Sequence, residues 1–247
     1  MKYIVMSIIK RLVKICSSVL LNITMVGHSS ALTASQLKGQ AYEDLVKQAA
    51  AAGLILRSPE AIAKLTQNVF QQIPAKSGVW IFGYGSLMWN STLKTSATIP
   101  ARVNGYQRCF CLQDVFGRGT TAQPGLMLGI IKGGQVEGKV MHIAANDVSE
   151  QLPIFIHHEL TSTSYLPVWV DAYTPQGQVK ALTVILDPKG PRYVAQMSLQ
   201  DKAAMICRAK GRFGTNLDYL LNTHQQLIKL GIVDREVDAL YQLVSQQ

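Results

Sequence analysis

Negative charge is scarce in this chain: 15 Asp and Glu stand against 24 Lys and Arg, and charged residues make up only 16% of the 247. The positive excess is not concentrated. Of the +9 formal charge, +4 belongs to Lys2, Lys10, Arg11 and Lys14 in an acid-free first segment, residues 1–31, which leaves +5 for the rest. Beyond that segment the basic residues are scattered. Nucleic-acid binding needs them clustered on one face or in a run with aromatics between. No nucleic-acid partner is therefore expected, and the charge reads as general solvation that also favours a small anionic substrate. Cysteine is sparse as well. Cys16, Cys109, Cys111 and Cys207 include no CxxC pair. Cys109 and Cys111, two apart, fall on one face of a strand and read as small buried apolar side chains. Nothing in them demands an oxidising compartment. Long apolar runs are missing too: ICSSVLLNITMV, within the first segment, is too short to span a bilayer, so no stable membrane span is expected. Repeats, long linkers and low-complexity tracts are also absent.

What is present is a large apolar fraction, 48%, enough for a sizeable core in one large domain or two small ones. Residues 1–31 read in two ways. The basic start, the apolar run and Ser29-Ser30-Ala31 suit a cleaved secretory signal; a basic amphipathic helix, or a start placed too far upstream, fits as well. Two helices are expected over residues 42–52 and 59–72. The second has Ser58 as N-cap, Pro59 at its first position, and Ile62, Leu65, Val69 and Ile73 at helical spacing. Strand-like runs follow: VWIF, ARVNGYQRCFCLQ, LMLGII, QVEGKVMHIA, YLPVWVDAY and VKALTVILD. Gly133-Gly134 has the spacing of a two-residue hairpin. Between the fourth and fifth runs a helix begins either at an Asp147/Glu150 capping box, with Pro153 inside its first turns, or at Pro153 itself. Thr215 and Asp218 form a second capping box before the stripe Leu217, Leu220, Leu221, Leu227 and Ile228, which Gly231 ends. This order predicts an α+β fold, with the strands curled into a small barrel.

The stretch VWIFGYGSLMWN, residues 79–90, interrupts a core-like run with Gly83-Tyr84-Gly85-Ser86. The dinucleotide fingerprint needs a third glycine where Met88 stands. A nucleophile elbow needs glycines where Tyr84 and Met88 stand. Two readings remain: a strand-end corner, or a cradle whose successive N–H groups face a carboxylate or an oxyanion. His157-His158-Glu159 suggests zinc, but HExxH needs a second His where Ser162 stands. Adjacent helical side chains also point about 100° apart, so no metal is expected. Glu159 closes the apolar run Ile154-Phe155-Ile156. It reads either as a solvated helix-end acid or as a general base, its pKa raised by the helix C-terminus and by burial.

Taken together, WIFGYGSLMWN, GYQRCFCL, GRGTTAQPG, HHELTSTSYLPVWV and FGTNLDYLLN closely resemble the ChaC-like gamma-glutamylcyclotransferases, in order and spacing, from about residue 79 to about residue 231. The resemblance implies a gamma-glutamylcyclotransferase-like small mixed β-barrel with surrounding helices. Residues 77–247 would then be the catalytic domain, residues 32–76 a helical N-terminal extension, and residues 1–31 a signal peptide or further extension. It implies an enzyme that needs no metal or cofactor and cyclises the γ-glutamyl group of glutathione, releasing 5-oxoproline and Cys-Gly. Glu159 matches the family's catalytic glutamate. Tyr84, Gly85, Ser86 and Leu87, with Ile81, Phe82 and Gly83 leading into them, match its γ-glutamyl-binding loop. The chain departs from the family pattern at three places. Leu126 stands where an arginine usually follows Pro-Gly. His157 and His158 precede the glutamate where basic residues usually do. Ser162, Thr163 and Ser164 fill a turn that usually holds a glycine. Arg118, in the retained Arg-Gly-Thr stretch, is the candidate to replace the missing arginine. The departures leave two alternatives: a cyclotransferase for other γ-glutamyl amines or dipeptides, and a non-catalytic γ-glutamyl-binding module. The resemblance further implies a cytoplasmic monomer, or an exported one if the first segment is a signal.

Overall fold

Local signals fix most of the helices. In this computed structural model, which describes residues 40–194 and 196–246, helix α1 spans Gln40–Ala51 and α2 spans Pro59–Phe70. Both lie within two residues of the expected bounds. Ser58 caps α2 as expected, its Oγ accepting the Ala61 N–H at 3.2 Å, and Ile62 and Val69 are buried. The expected signal over residues 1–31, with Cys16, lies outside the described residues.

Five strands close into a barrel in the order β1-β3-β2-β4-β5: β1 Val79–Gly83, β2 Ala97–Asp114, β3 Gly125–Ile143, β4 Tyr165–Thr174 and β5 Gly177–Leu186. β1 pairs antiparallel with β3 and parallel with β5, so the barrel is mixed. Ile81, Phe82, Ile130, Val140, Ile143 and Leu182 fill the main core. Helix α3, Val148–Leu160, seals it with Leu152, Phe155, Ile156 and Leu160.

The hairpin expected at Gly133-Gly134 does not form. β3 runs straight through both glycines and stays paired with β2, so six expected runs become five strands. The register shifts between Asn104 and Tyr106, where Gly105 (φ 81°) lies opposite Gly133 (φ 143°) and Gly134 (φ 34°). The left-handed backbone that suggested a turn makes a bulge instead, because long-range pairing on both sides outweighs the local signal. The true β2–β3 connection is residues 115–124, which carries Arg118. A second bulge between Phe110 and Leu112 brings the sulfur atoms of Cys109 and Cys111 together as a disulfide. Both are buried as expected, but as a bonded pair rather than two separate apolar side chains.

Of the two starts expected for α3, the earlier is seen, with Pro153 inside the helix. The capping box is not: the Asp147 carboxylate accepts from Lys94 Nζ at 2.8 Å instead of capping. After the barrel come α4 Leu199–Arg208, the short pair β6 Lys210–Gly211 and β7 Gly214–Thr215, α5 Asn216–Lys229 and α6 Arg235–Ser245. The expected capping box starts α5, with Thr215 Oγ1 accepting the Asp218 N–H at 3.0 Å, and Gly231 (φ 68°) follows its end. These helices pack a second core around Phe110, Leu126, Tyr219, Leu220 and Leu240.

Candidate active site

The loop after β1 sits where strand becomes a single 3₁₀ turn, Ser86–Met88. Gly83 is tightly packed: a Cβ there would lie 3.1 Å from Leu87 Cβ and 3.2 Å from Met141 Cε. The turn uses the N–H groups of Met88, Trp89 and Asn90 internally. Those of Gly85, Ser86 and Leu87 donate to no acceptor among the described residues. Three successive unpaired donors at a buried strand end favour an anion. The loop is held from behind. Thr183 Oγ1 donates to the Phe82 carbonyl at 2.8 Å, and Arg108 Nε donates to that of Tyr84 at 2.9 Å.

Glu159 stands on the last turn of α3, its side chain 14% exposed. Its Oε1 lies 2.9 Å from His158 Nδ1. Burial pulls the His158 imidazole down, but the Glu159 carboxylate, by charge and hydrogen bond, outweighs it and leaves His158 above its ordinary value. Three phenols feel the same carboxylate. Burial and then Glu159 raise Tyr84 and Tyr219. Burial, then Tyr84, Tyr219 and Glu159, raise Tyr165. All three stay protonated at neutral pH. The Tyr165 hydroxyl donates to the Leu128 carbonyl at 2.6 Å. A Cβ on Gly85 would come within 3.4 Å of the Tyr219 hydroxyl, so the loop backbone and that phenol share one space.

Arg118 is 5% exposed. Its backbone N–H donates to Asp114 Oδ2, and its guanidinium carbon lies 5.8 Å from the centre of the Tyr219 ring. Among the described residues only Nη1 has an acceptor, the Thr215 carbonyl at 3.3 Å. The remaining donors of a buried cation can therefore take a carboxylate. Leu126 is fully buried in the second core, its N–H donating to Asn216 Oδ1 at 2.6 Å and its carbonyl accepting from Nδ2 at 2.7 Å.

Of the residues singled out in the sequence, Gly83 to Leu87, Glu159 and Arg118 gather around the three phenols. Ile81 and Phe82 are fully buried in the barrel core, and the Phe82 ring centre lies 6.5 Å from that of Tyr84. Sequence reasoning missed Arg108, Tyr165, Tyr219, Asn216 and Thr183. Four of these lie inside or beside the motifs that carried the resemblance; Thr183 sits in an ordinary strand run and gave no signal.

An acid flanked by protonated phenols, beside unpaired backbone donors and a buried arginine, suits proton transfer on an anionic substrate. A family model described as ChaC-like protein matches residues 79–247. The chain belongs to the ChaC-like family. It is 38% identical over 162 residues to the glutathione-specific gamma-glutamylcyclotransferase of Escherichia coli, covering 65% of this chain and 70% of that protein. It is 31% identical over 159 residues to human glutathione-specific gamma-glutamylcyclotransferase 1, covering 61% and 72%. A crystal structure of the glutathione-specific gamma-glutamyl cyclotransferase from yeast superposes with a TM-score of 0.62 at 20% identity, over 69% of this chain and 96% of that one. The ChaC-like fold is thus the mixed barrel with surrounding helices that the resemblance implied. Among the described residues no helix is long and apolar enough to cross a membrane.

Proposed function

We propose that the protein is a glutathione-specific gamma-glutamylcyclotransferase that degrades glutathione to 5-oxoproline and Cys-Gly. The observation that carries this reading is the Glu159 carboxylate set among Tyr84, Tyr165 and Tyr219 beside the unpaired N–H groups of Gly85, Ser86 and Leu87. Glu159 takes a proton from the substrate's α-ammonium. The freed amine attacks its own γ-carbonyl carbon, a C–N bond forms, and the oxygen gains the negative charge. Backbone N–H groups of the loop stabilise that oxyanion. Collapse restores the carbonyl and breaks the bond to the cysteine nitrogen, which takes the proton held by Glu159; the second proton of the ring nitrogen then passes through the same carboxylate to the released amine, leaving a neutral lactam. Such proton transfer contributes about two to four decades of rate, and folding of the γ-glutamyl arm against the loop adds a proximity term. Every proton and electron pair is supplied by the substrate and Glu159, so the scheme calls for no cofactor.

Residues 77–247 form the catalytic domain in this reading and residues 32–76 an extension of it. In this reading the enzyme is a monomer in the cytoplasm, as the family resemblance implies. Leu126 supports a second reading, a preference for other γ-glutamyl compounds, since it offers no cation to the glycine carboxylate. Purified protein with reduced glutathione, oxidised glutathione and γ-Glu-Ala, assayed for 5-oxoproline, tests both. Release from reduced glutathione alone supports the first reading. Faster release from γ-Glu-Ala supports the second, and release from none of them removes the enzyme.

A further inference from the structure

The turn that follows Glu159 is fastened by a segment outside the family-matched region. Between α1 and α2, Leu56 bridges Ser162 as a short antiparallel contact. The Arg57 N–H donates to the Thr161 carbonyl at 2.8 Å, and the Thr163 N–H and Oγ1 donate to the Ile55 carbonyl at 2.9 and 3.1 Å. The half-buried Arg57 guanidinium spans the turn itself. Nη1 donates to the carbonyls of Leu160, at 2.6 Å, and Ser162, at 2.5 Å; Nη2 donates to that of Tyr165 at 2.7 Å. Carbonyls at a helix C-terminus lack partners within the helix, and a cation is favoured there. A planar fork with fixed donors suits three acceptors at once in a way an ammonium does not. From the other side Arg192 Nη2 donates to Ser162 Oγ at 3.1 Å and Ser164 Oγ at 2.6 Å.

Leu160 directly follows Glu159, and Tyr165 is one of the phenols that feel its charge. Arg57 therefore ties together the two chain positions whose separation sets the carboxylate against the phenol. We infer that Arg57 is a positioning residue for Glu159, supplied by the helical extension, and that it stiffens a polar Ser-Thr-Ser turn into a defined geometry. The inference rests on the reading of Glu159 as the proton carrier.

The test compares Arg57→Ala and Arg57→Lys with the wild-type full chain by steady-state kinetics on glutathione and by amide hydrogen exchange. In Arg57→Ala, kcat is expected to fall about tenfold or more, because a displacement of about 1 Å at a reacting group can cost about a hundredfold. KM is expected to stay within about twofold. Exchange at residues 161–165 is expected to quicken by about tenfold while the barrel strands keep their protection. Arg57→Lys, which keeps the charge but not the fork, is expected to fall between the two in kcat. Unchanged exchange at 161–165, a kcat within about twofold of wild type, or a loss carried by KM alone overturns the assignment. If Arg57→Ala does not fold, Arg57→Lys decides it: kcat equal to wild type overturns the assignment, and a lower kcat at unchanged KM supports it. A wild-type protein without cyclotransferase activity, whose 161–165 amides still open in the variants, sinks the cyclotransferase reading while the fastening of the turn stands.

Discussion

His158 Nδ1 lies 2.9 Å from Glu159 Oε1, so the acid at the centre of the site shares a hydrogen bond with its neighbour in sequence. The pair is nearly enclosed, with side-chain exposures of 19% and 14%. The facing groups on other elements are Tyr84, Tyr165 and Tyr219, all protonated, which leaves Glu159 as the charged partner of His158. His158 is held above its ordinary value, so the stability contributed by the charged pair is complete below about pH 6.5 and is lost as pH rises through the folded value. Urea unfolding of wild type and His158→Gln is expected to show a gap in stability that is widest near about pH 5.5 and narrows toward about pH 8.5. A gap that stays constant over that range would show that the charged pair does not form.

Glu159→Gln keeps the shape of the side chain and removes its capacity to take a proton. Turnover of glutathione is expected to fall by about two to four decades, the usual share of general acid–base catalysis. Binding of glutathione, followed by calorimetry, is expected to change little, because the loop N–H groups are untouched. Turnover within about tenfold of wild type would remove Glu159 from proton transfer.

Arg118 offers a buried guanidinium with a single protein acceptor among the described residues. A hydrogen bond from a cation to a carboxylate is worth about 1.5–3 kcal/mol, so Arg118→Ala is expected to raise KM for glutathione by roughly tenfold to a hundredfold, with kcat less affected. A γ-glutamyl amine that lacks the glycine carboxylate separates the two carboxylates of the substrate. If its KM is insensitive to Arg118→Ala, the arginine holds the glycine end; if its KM rises equally, the arginine holds the α-carboxylate. An unchanged KM for both compounds would take Arg118 out of the site.

Features with local causes were legible in the sequence. Ser58-Pro59 and Thr215 with Asp218 start helices through contacts three residues long, and Gly231 follows a helix end because its own backbone is left-handed. Gly133-Gly134 was misread for the same reason that these succeeded. The pair does adopt positive φ, but pairing with β2 on both sides made it a bulge. Asp147 lost its capping role to Lys94, 53 residues away. The candidate site divides along the same line. The loop and Glu159 stand in continuous motifs, whereas Arg108 meets Asp234 across 126 residues and Arg57 meets Tyr165 across 108, and no spacing pattern announces such pairs.

The Arg108 contact is the one whose loss is expected to cost most in stability. Its side chain is 1% exposed and pairs with Asp234, 14% exposed, while Nε and Nη2 donate to the carbonyls of Tyr84 and Glu137. Arg108→Met keeps the stem and leaves the Asp234 carboxylate without its counter-ion, a change that costs about 3–5 kcal/mol in buried pairs. Asp234 also caps α6, its Oδ1 accepting the Val237 N–H at 3.1 Å. Asp234→Asn therefore removes the charge and retains the cap. The double variant Arg108→Met/Asp234→Asn is expected to be more stable than Arg108→Met alone, because the uncompensated charge has gone, and both are measured by urea midpoint at neutral pH. The two substitutions should be far from additive, as neighbours in one polar network are. A loss under about 1 kcal/mol for Arg108→Met, or a double variant as unstable as the sum of the singles, would show that the pair does not act as a unit behind the Tyr84 loop.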